Sequence, residues 1–198
     1  MKRRWLISGE FYLAAPVVIV VACASLWFSL SAVYENYNLG RAFNQLIRVV
    51  DVAREMRVVE GASPEQAVQT LLERLAELDI ADVKTTSPNF LGKSGERGFK
   101  NPWGYDVGAF FYPSAKAFRL EMEVSPHACR HLLDIYAKNM APFGIRRVDA
   151  REQDPNAAWR LVYEESQQKG VAPQLGAEAI ASGCGRDEHI LLSLTFLL

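Results

Sequence analysis

From Phe11 to Tyr34 the chain reads FYLAAPVVIVVACASLWFSLSAVY, 24 residues without a charge. About 20 apolar residues in a helix cross the hydrocarbon core of a bilayer, so this run predicts a transmembrane helix over residues 11–34. A buried helix of a globular protein rarely runs so long without a charged residue. A cleaved secretory signal fits less well, because the run exceeds the usual apolar length and its small-residue site, Ala22-Cys23-Ala24, sits in mid-run. Lys2, Arg3 and Arg4 precede the run and Glu35 follows it. Positive residues favour the cytoplasmic side, which predicts a basic leader over 1–10 inside and the bulk of the chain, 35–198, outside.

The helical pattern continues past the uncharged run. Phe43, Leu46, Ile47, Val50, Ala53 and Met56 recur three or four apart, with Arg41, Asp51, Arg54 and Glu55 off that stripe. A single helix over about 11–59 is expected, apolar all round in its first half and on one face in its second. At 1.5 Å per residue it would be roughly 70 Å long. Pro16 and Gly40 are its weak points.

Downstream, Ser63-Pro64-Glu65-Gln66 reads as a capped helix start. Val68, Leu71, Leu72, Leu75 and Leu78 supply the buried face, and the helix should end before Asp82. Residues 86–104 read as a loop. Strands are expected over 107–112 and 117–124, the second alternating Phe118, Leu120, Met122 and Val124 with Arg119, Glu121 and Glu123. Ser125-Pro126 opens a helix to about Asn139. Strands follow over 144–148, 159–163 and 189–197, with a short helix over 172–182. The order predicts an α+β fold whose long N-terminal helix packs on an antiparallel sheet.

Composition narrows the function. Hydrophobic residues are 49% and charged residues 23%, which excludes global disorder. The net charge of −1 argues against a dedicated nucleic-acid binder. Three cysteines are too few for a disulfide-framework miniprotein or for a cysteine-rich four-ligand zinc site. Cys23 lies in the span, where it acts as a small apolar residue. Cys129 and Cys184 lie in the part placed outside the cytoplasm, where an oxidising compartment allows a bridge; two free buried thiols are the alternative.

Other pairs carry less. His127 and His131 are four apart on one predicted helix, beside Cys129 and Asp134. Nothing in the sequence completes a metal site around them, so they read as solvated histidines near a helix start. Glu121 and Glu123 share a strand face and read as surface charge. Gly92-Lys93-Ser94-Gly95 has a phosphate-loop look, but Ser87 stands where the upstream glycine is required. No nucleophile and base have supporting context, so neither an enzyme nor a bound cofactor or metal is expected. Asn101-Pro102-Trp103-Gly104 is a turn, with Pro at its second position and an anchoring Trp.

Taken together, these features resemble type IVb pilins of the PilS kind over most of the chain. The resemblance rests on the uncharged helix that becomes amphipathic and on Asn101-Pro102-Trp103-Gly104 opening a β-rich region. It rests also on Ser125-Pro126-His127-Ala128-Cys129 opening a helix, and on Ile180-Ala181-Ser182-Gly183-Cys184 followed by Leu191-Leu192-Ser193-Leu194-Thr195-Phe196. It implies a long helix lying against an antiparallel sheet, a disulfide pinning the C-terminal region, and a bacterial inner-membrane subunit that polymerises with other pilin subunits. A prepilin peptidase is the implied processing partner, cutting after a glycine behind a short basic leader. Gly9 matches that glycine. The next residue is Glu10 where the family has an apolar one, and Ala14 stands at the fifth place, where the family has glutamate. The rival expectation is therefore an uncleaved single-span protein whose periplasmic head binds another envelope, pilus or secretion component. Residues 35–198 carry 19 basic and 22 acidic side chains, a mild balance that implies no particular ligand.

Overall fold

The structure is a computed structural model. It describes residues 10–56, 63–85, 97–112, 115–152, 154, 157–165, 175–185 and 189–198. The chain divides into two compact units, Met1–Asn38 and Leu39–Leu198.

Helix α1 (Glu10–Glu55) contributes to both. Neither Pro16 nor Gly40 interrupts it, and its end at Glu55 precedes the predicted residue 59, with 57–59 outside the described residues. In the first unit its apolar side chains from Val17 to Tyr34 stand exposed on every side. In the second unit one stripe is buried: Leu39, Ala42, Leu46, Val49, Val50 and Ala53. Each Leu or Val so withdrawn from water contributes about 2 kcal/mol.

Helix α2 (Pro64–Glu77) starts as its sequence dictates. The Ser63 Oγ accepts the Gln66 amide at 3.2 Å, and Gln66 Oε1 accepts the Ser63 amide at 3.1 Å. Leu71, Leu72 and Leu75 form its buried face.

The remaining elements are β1 (Val83–Thr85), β2 (Arg97–Lys100), β3 (Asp106–Tyr112), β4 (Ala117–Val124), α3 (Pro126–Phe143), β5 (Ile145–Glu152), β6 (Arg160–Glu164), α4 (Ala177–Gly183) and β7 (Ile190–Leu197). The strands form one antiparallel sheet in the order β1-β2-β3-β4-β7-β5-β6. The fold is therefore α+β. Register places Phe99, Val107, Met122, Leu192 and Ala150 in one row across five strands, and Ala109, Leu120, Leu194 and Val148 in the next. These residues form the core together with the stripe of α1 and the inner faces of α2 and α3.

Several expectations need correction. The loop read over 86–104 contains β2, and β1 precedes it; both are short, and each places a single large apolar residue, Val83 or Phe99, in the inner row. Helix α3 runs to Phe143, about a turn beyond Asn139. It stops at Gly144, whose φ of +66° suits glycine and whose Cβ would lie 2.6 Å from Arg54 Nη2. Strand β5 reaches Glu152 and not Val148, because β7 pairs with it as far as Ile190. Helix α4 begins at Ala177, after Leu175 and Gly176; residues 172–174 of the expected helix lie outside the described residues.

Candidate functional site

Four places bear on function, and the first is the surface of α1 in the first unit. Val17 to Val21, Leu26, Trp27, Phe28, Leu30 and Val33 are all exposed, Trp27 at 74%. Polar atoms on this stretch are largely answered within the helix. Ser25 Oγ donates to the Val21 carbonyl at 2.8 Å and Ser29 Oγ to the Ser25 carbonyl at 2.9 Å, which makes both hydroxyls compatible with an apolar surrounding. Cys23 is a free, exposed thiol. The helix is long and apolar enough to span a membrane. Gly9 lies outside the described residues; Glu10 opens α1, with its side chain outside them.

The second place is the turn between β2 and β3. Asn101 is 6% exposed and is its centre. Its Oδ1 accepts the amides of Trp103 at 3.1 Å and Tyr105 at 3.0 Å, and its Nδ2 donates to the Glu123 carbonyl at 2.8 Å. The Gly104 amide closes the turn on the Asn101 carbonyl at 2.8 Å, which puts Pro102 at the second turn position. Gly104 has φ +86°, a conformation that favours glycine. Trp103 is half-buried and packs on the core. This motif builds a hairpin.

The third is the link between α3 and α4. Cys129 and Cys184 form a disulfide, both residues fully buried, with their Cα atoms 5.7 Å apart. Position 129 lies in the first turns of α3 and position 184 directly follows α4, so the bridge ties both helices over the sheet. Gly183 adds a close approach: a Cβ there would meet Val162 Cγ2 of β6 at 2.5 Å.

The fourth is the outer face of the sheet. Glu121, read as surface charge, is 3% exposed. It stands opposite Ser193, which stands opposite Asp149, so a serine separates two carboxylates across β4, β7 and β5. Arg119 Nη2 lies 2.9 Å from Glu121 Oε1, and its guanidinium rests over the rings of Phe110 and Tyr112. Arg147 grips Asp149 with two hydrogen bonds, at 2.7 and 2.9 Å. Arg151 lies over Trp159. Burial pushes the Glu121 carboxyl above the ordinary glutamate range; Arg119 and Arg151 pull it partly back, and Asp149 adds to the rise. Glu123 is half-buried, 3.2 Å from His189 Nδ1.

His127 and His131 are exposed on α3, with their Nε2 atoms 3.2 Å apart. Among the described residues no group of three or more His, Cys, Asp or Glu could hold a metal ion. Gly92–Gly95 lies outside the described residues. The sequence placed the turn, the cysteines and the apolar helix, but it missed the buried row around Glu121. Compared with family models and with curated proteins, the chain matches none.

Proposed function

We propose that the chain is a pilin-like structural subunit of a type IV pilus or a related secretion or conjugation filament, and that it polymerises through its N-terminal helix. One observation carries the reading: the same helix is apolar on all sides up to Val33 and buries only a stripe from Leu39 onward. A helix exposed in this way is unstable in water and needs either lipid or other apolar helices around it. A filament core of identical helices provides the second surrounding after the membrane has provided the first. The fold class, with an antiparallel sheet over the amphipathic stretch and a bridge near its C-terminal strand, supports the same reading. The subunit waits in the bacterial inner membrane as a single span, N-terminus in the cytoplasm and head in the periplasm. A prepilin peptidase cuts after Gly9. The job is structural, without catalysis.

A second reading is favoured by Glu10 and Ala14 at the processing positions. Without cleavage the chain stays in the membrane, and its head serves as a binding module for another envelope component.

Intact mass separates the two. Protein from sheared surface material lacking residues 1–9 supports the subunit. A full-length mass confined to membranes overturns it in favour of the anchored module.

A further inference from the structure

The geometry points to a zinc-binding site on the exposed face of α3, formed by the Nε2 atoms of His127 and His131. The inference is independent of the filament reading, since it rests only on the second unit.

Zn²⁺ binds imidazole nitrogen at about 2.0–2.1 Å and prefers tetrahedral geometry, so two ligand nitrogens on one ion lie about 3.3–3.4 Å apart. The two Nε2 atoms lie 3.2 Å apart, with ring centroids at 4.4 Å. Bringing both lone pairs onto one ion takes a modest turn of the exposed rings, to centroids about 5 Å apart.

The backbone that carries the pair is fixed. Between the two histidines, Ala128 and Cys129 are fully buried, as are Leu132 and Leu133 beyond them. Cys129 is also cross-linked to Cys184. The ion therefore meets a main chain that is already ordered, which lowers the cost of binding. Arg130, the one cation in this turn, donates to the Gly185 carbonyl at 3.0 Å, which engages its guanidinium elsewhere. Asp134 follows His131 by three residues and adds negative charge to the same face. The helix dipole at the N-terminus of α3 works against a cation, but on an exposed surface it is a small effect.

Where both rings lack the second proton, one Nε2 donates to the other across the 3.2 Å. Zinc takes the place of that proton: the donor ring moves its proton to Nδ1, both Nε2 lone pairs face the ion, and no net proton is released. Two of the four positions come from the protein and two from water.

The test uses the full chain in detergent micelles, oxidised and stripped of metal, titrated with zinc chloride. Calorimetry reads the stoichiometry, and long-range nitrogen–proton spectra read each histidine ring. One Zn²⁺ per chain is expected, with the Nε2 resonances of His127 and His131 moving together and those of His189 unmoved. Either His127→Gln or His131→Gln should weaken binding about a hundredfold, the loss that accompanies removing one of two linked ligands. Absence of heat and of shifts at millimolar zinc overturns the site. So does a shift at one ring alone, or undiminished binding by the double variant.

Discussion

Asn101 Nδ2 donates to the main-chain carbonyl of Glu123 at 2.8 Å, which ties the β2–β3 turn to the end of β4. The same side chain collects the amides of Trp103 and Tyr105. An aspartate would keep the acceptor but set a carboxylate oxygen against the Glu123 carbonyl. An alanine would remove all three of these part-buried hydrogen bonds. Asn101→Ala should cost about 3 kcal/mol, roughly one per hydrogen bond, and Asn101→Asp should also destabilise. Urea unfolding of the oxidised protein, followed by near-ultraviolet circular dichroism, checks both; an unchanged midpoint would assign the turn's stability to Trp103 instead.

The disulfide joins residues 55 apart in sequence. Replacing both cysteines by serine should lower stability by about 3–4 kcal/mol, chiefly by freeing the unfolded chain. The intact mass of the native protein should rise by about 2 Da on reduction, one hydrogen per thiol.

Glu121 gives the head a pH dependence of known sign. Its carboxyl holds its proton more tightly folded than unfolded, because burial penalises the charge more than Arg119 and Arg151 compensate. The folded state therefore binds more protons in the window above the ordinary value of 4.5, and the contribution of the protonated form is lost as pH rises through the raised value. Glu121→Gln should flatten stability against pH in that window and raise the melting temperature at neutral pH by a few degrees, about 1 kcal/mol. A variant with the wild-type slope would show that another group titrates there.

Gly183 and Val162 form a size-matched pair between α4 and β6. A Cβ at 183 would sit 2.5 Å from Val162 Cγ2, and a β-branched side chain has little rotamer freedom with which to yield. Gly183→Ala should destabilise by about 1–3 kcal/mol. Adding Val162→Ala should recover part of that loss, so that the double-mutant cycle yields a favourable coupling. Additive losses would mean that the helix moves and the valine does not.

Much of this architecture is legible in the residues. The uncharged run, the stripe from Phe43 to Met56, the capping box at Ser63 and the alternation of β4 each carry a physical period or a capping chemistry. Strands β1 and β2 do not: each is too short to show a period, and β2 contains Gly98. Strand β2 exists because β3 offers an edge to pair with, and β1 because β2 then offers the next. The end of β5 hid behind the charges of Asp149, Arg151 and Glu152, three residues that β7 nevertheless pairs. Glu121 was misread for a related reason. Alternation tells which side of a sheet a residue faces, but not how crowded that side becomes when Arg119 of the same strand and Arg151 of β5 lie near it. For His127 and His131, spacing gave the shared face, and only the rotamers gave the 3.2 Å separation.

The place of β7 has a consequence for biogenesis. It lies between β4 and β5, yet it follows every other described strand in the chain. Until it arrives, β4 and β5 have no partner on their inward edges, and the core row from Ile190 to Phe196 is missing. A chain made from its N-terminus thus first offers two separate half-sheets. The sheet closes in one late step, when residues 190–197 slot between them, and until then the inward edges of β4 and β5 are open to pairing with other chains.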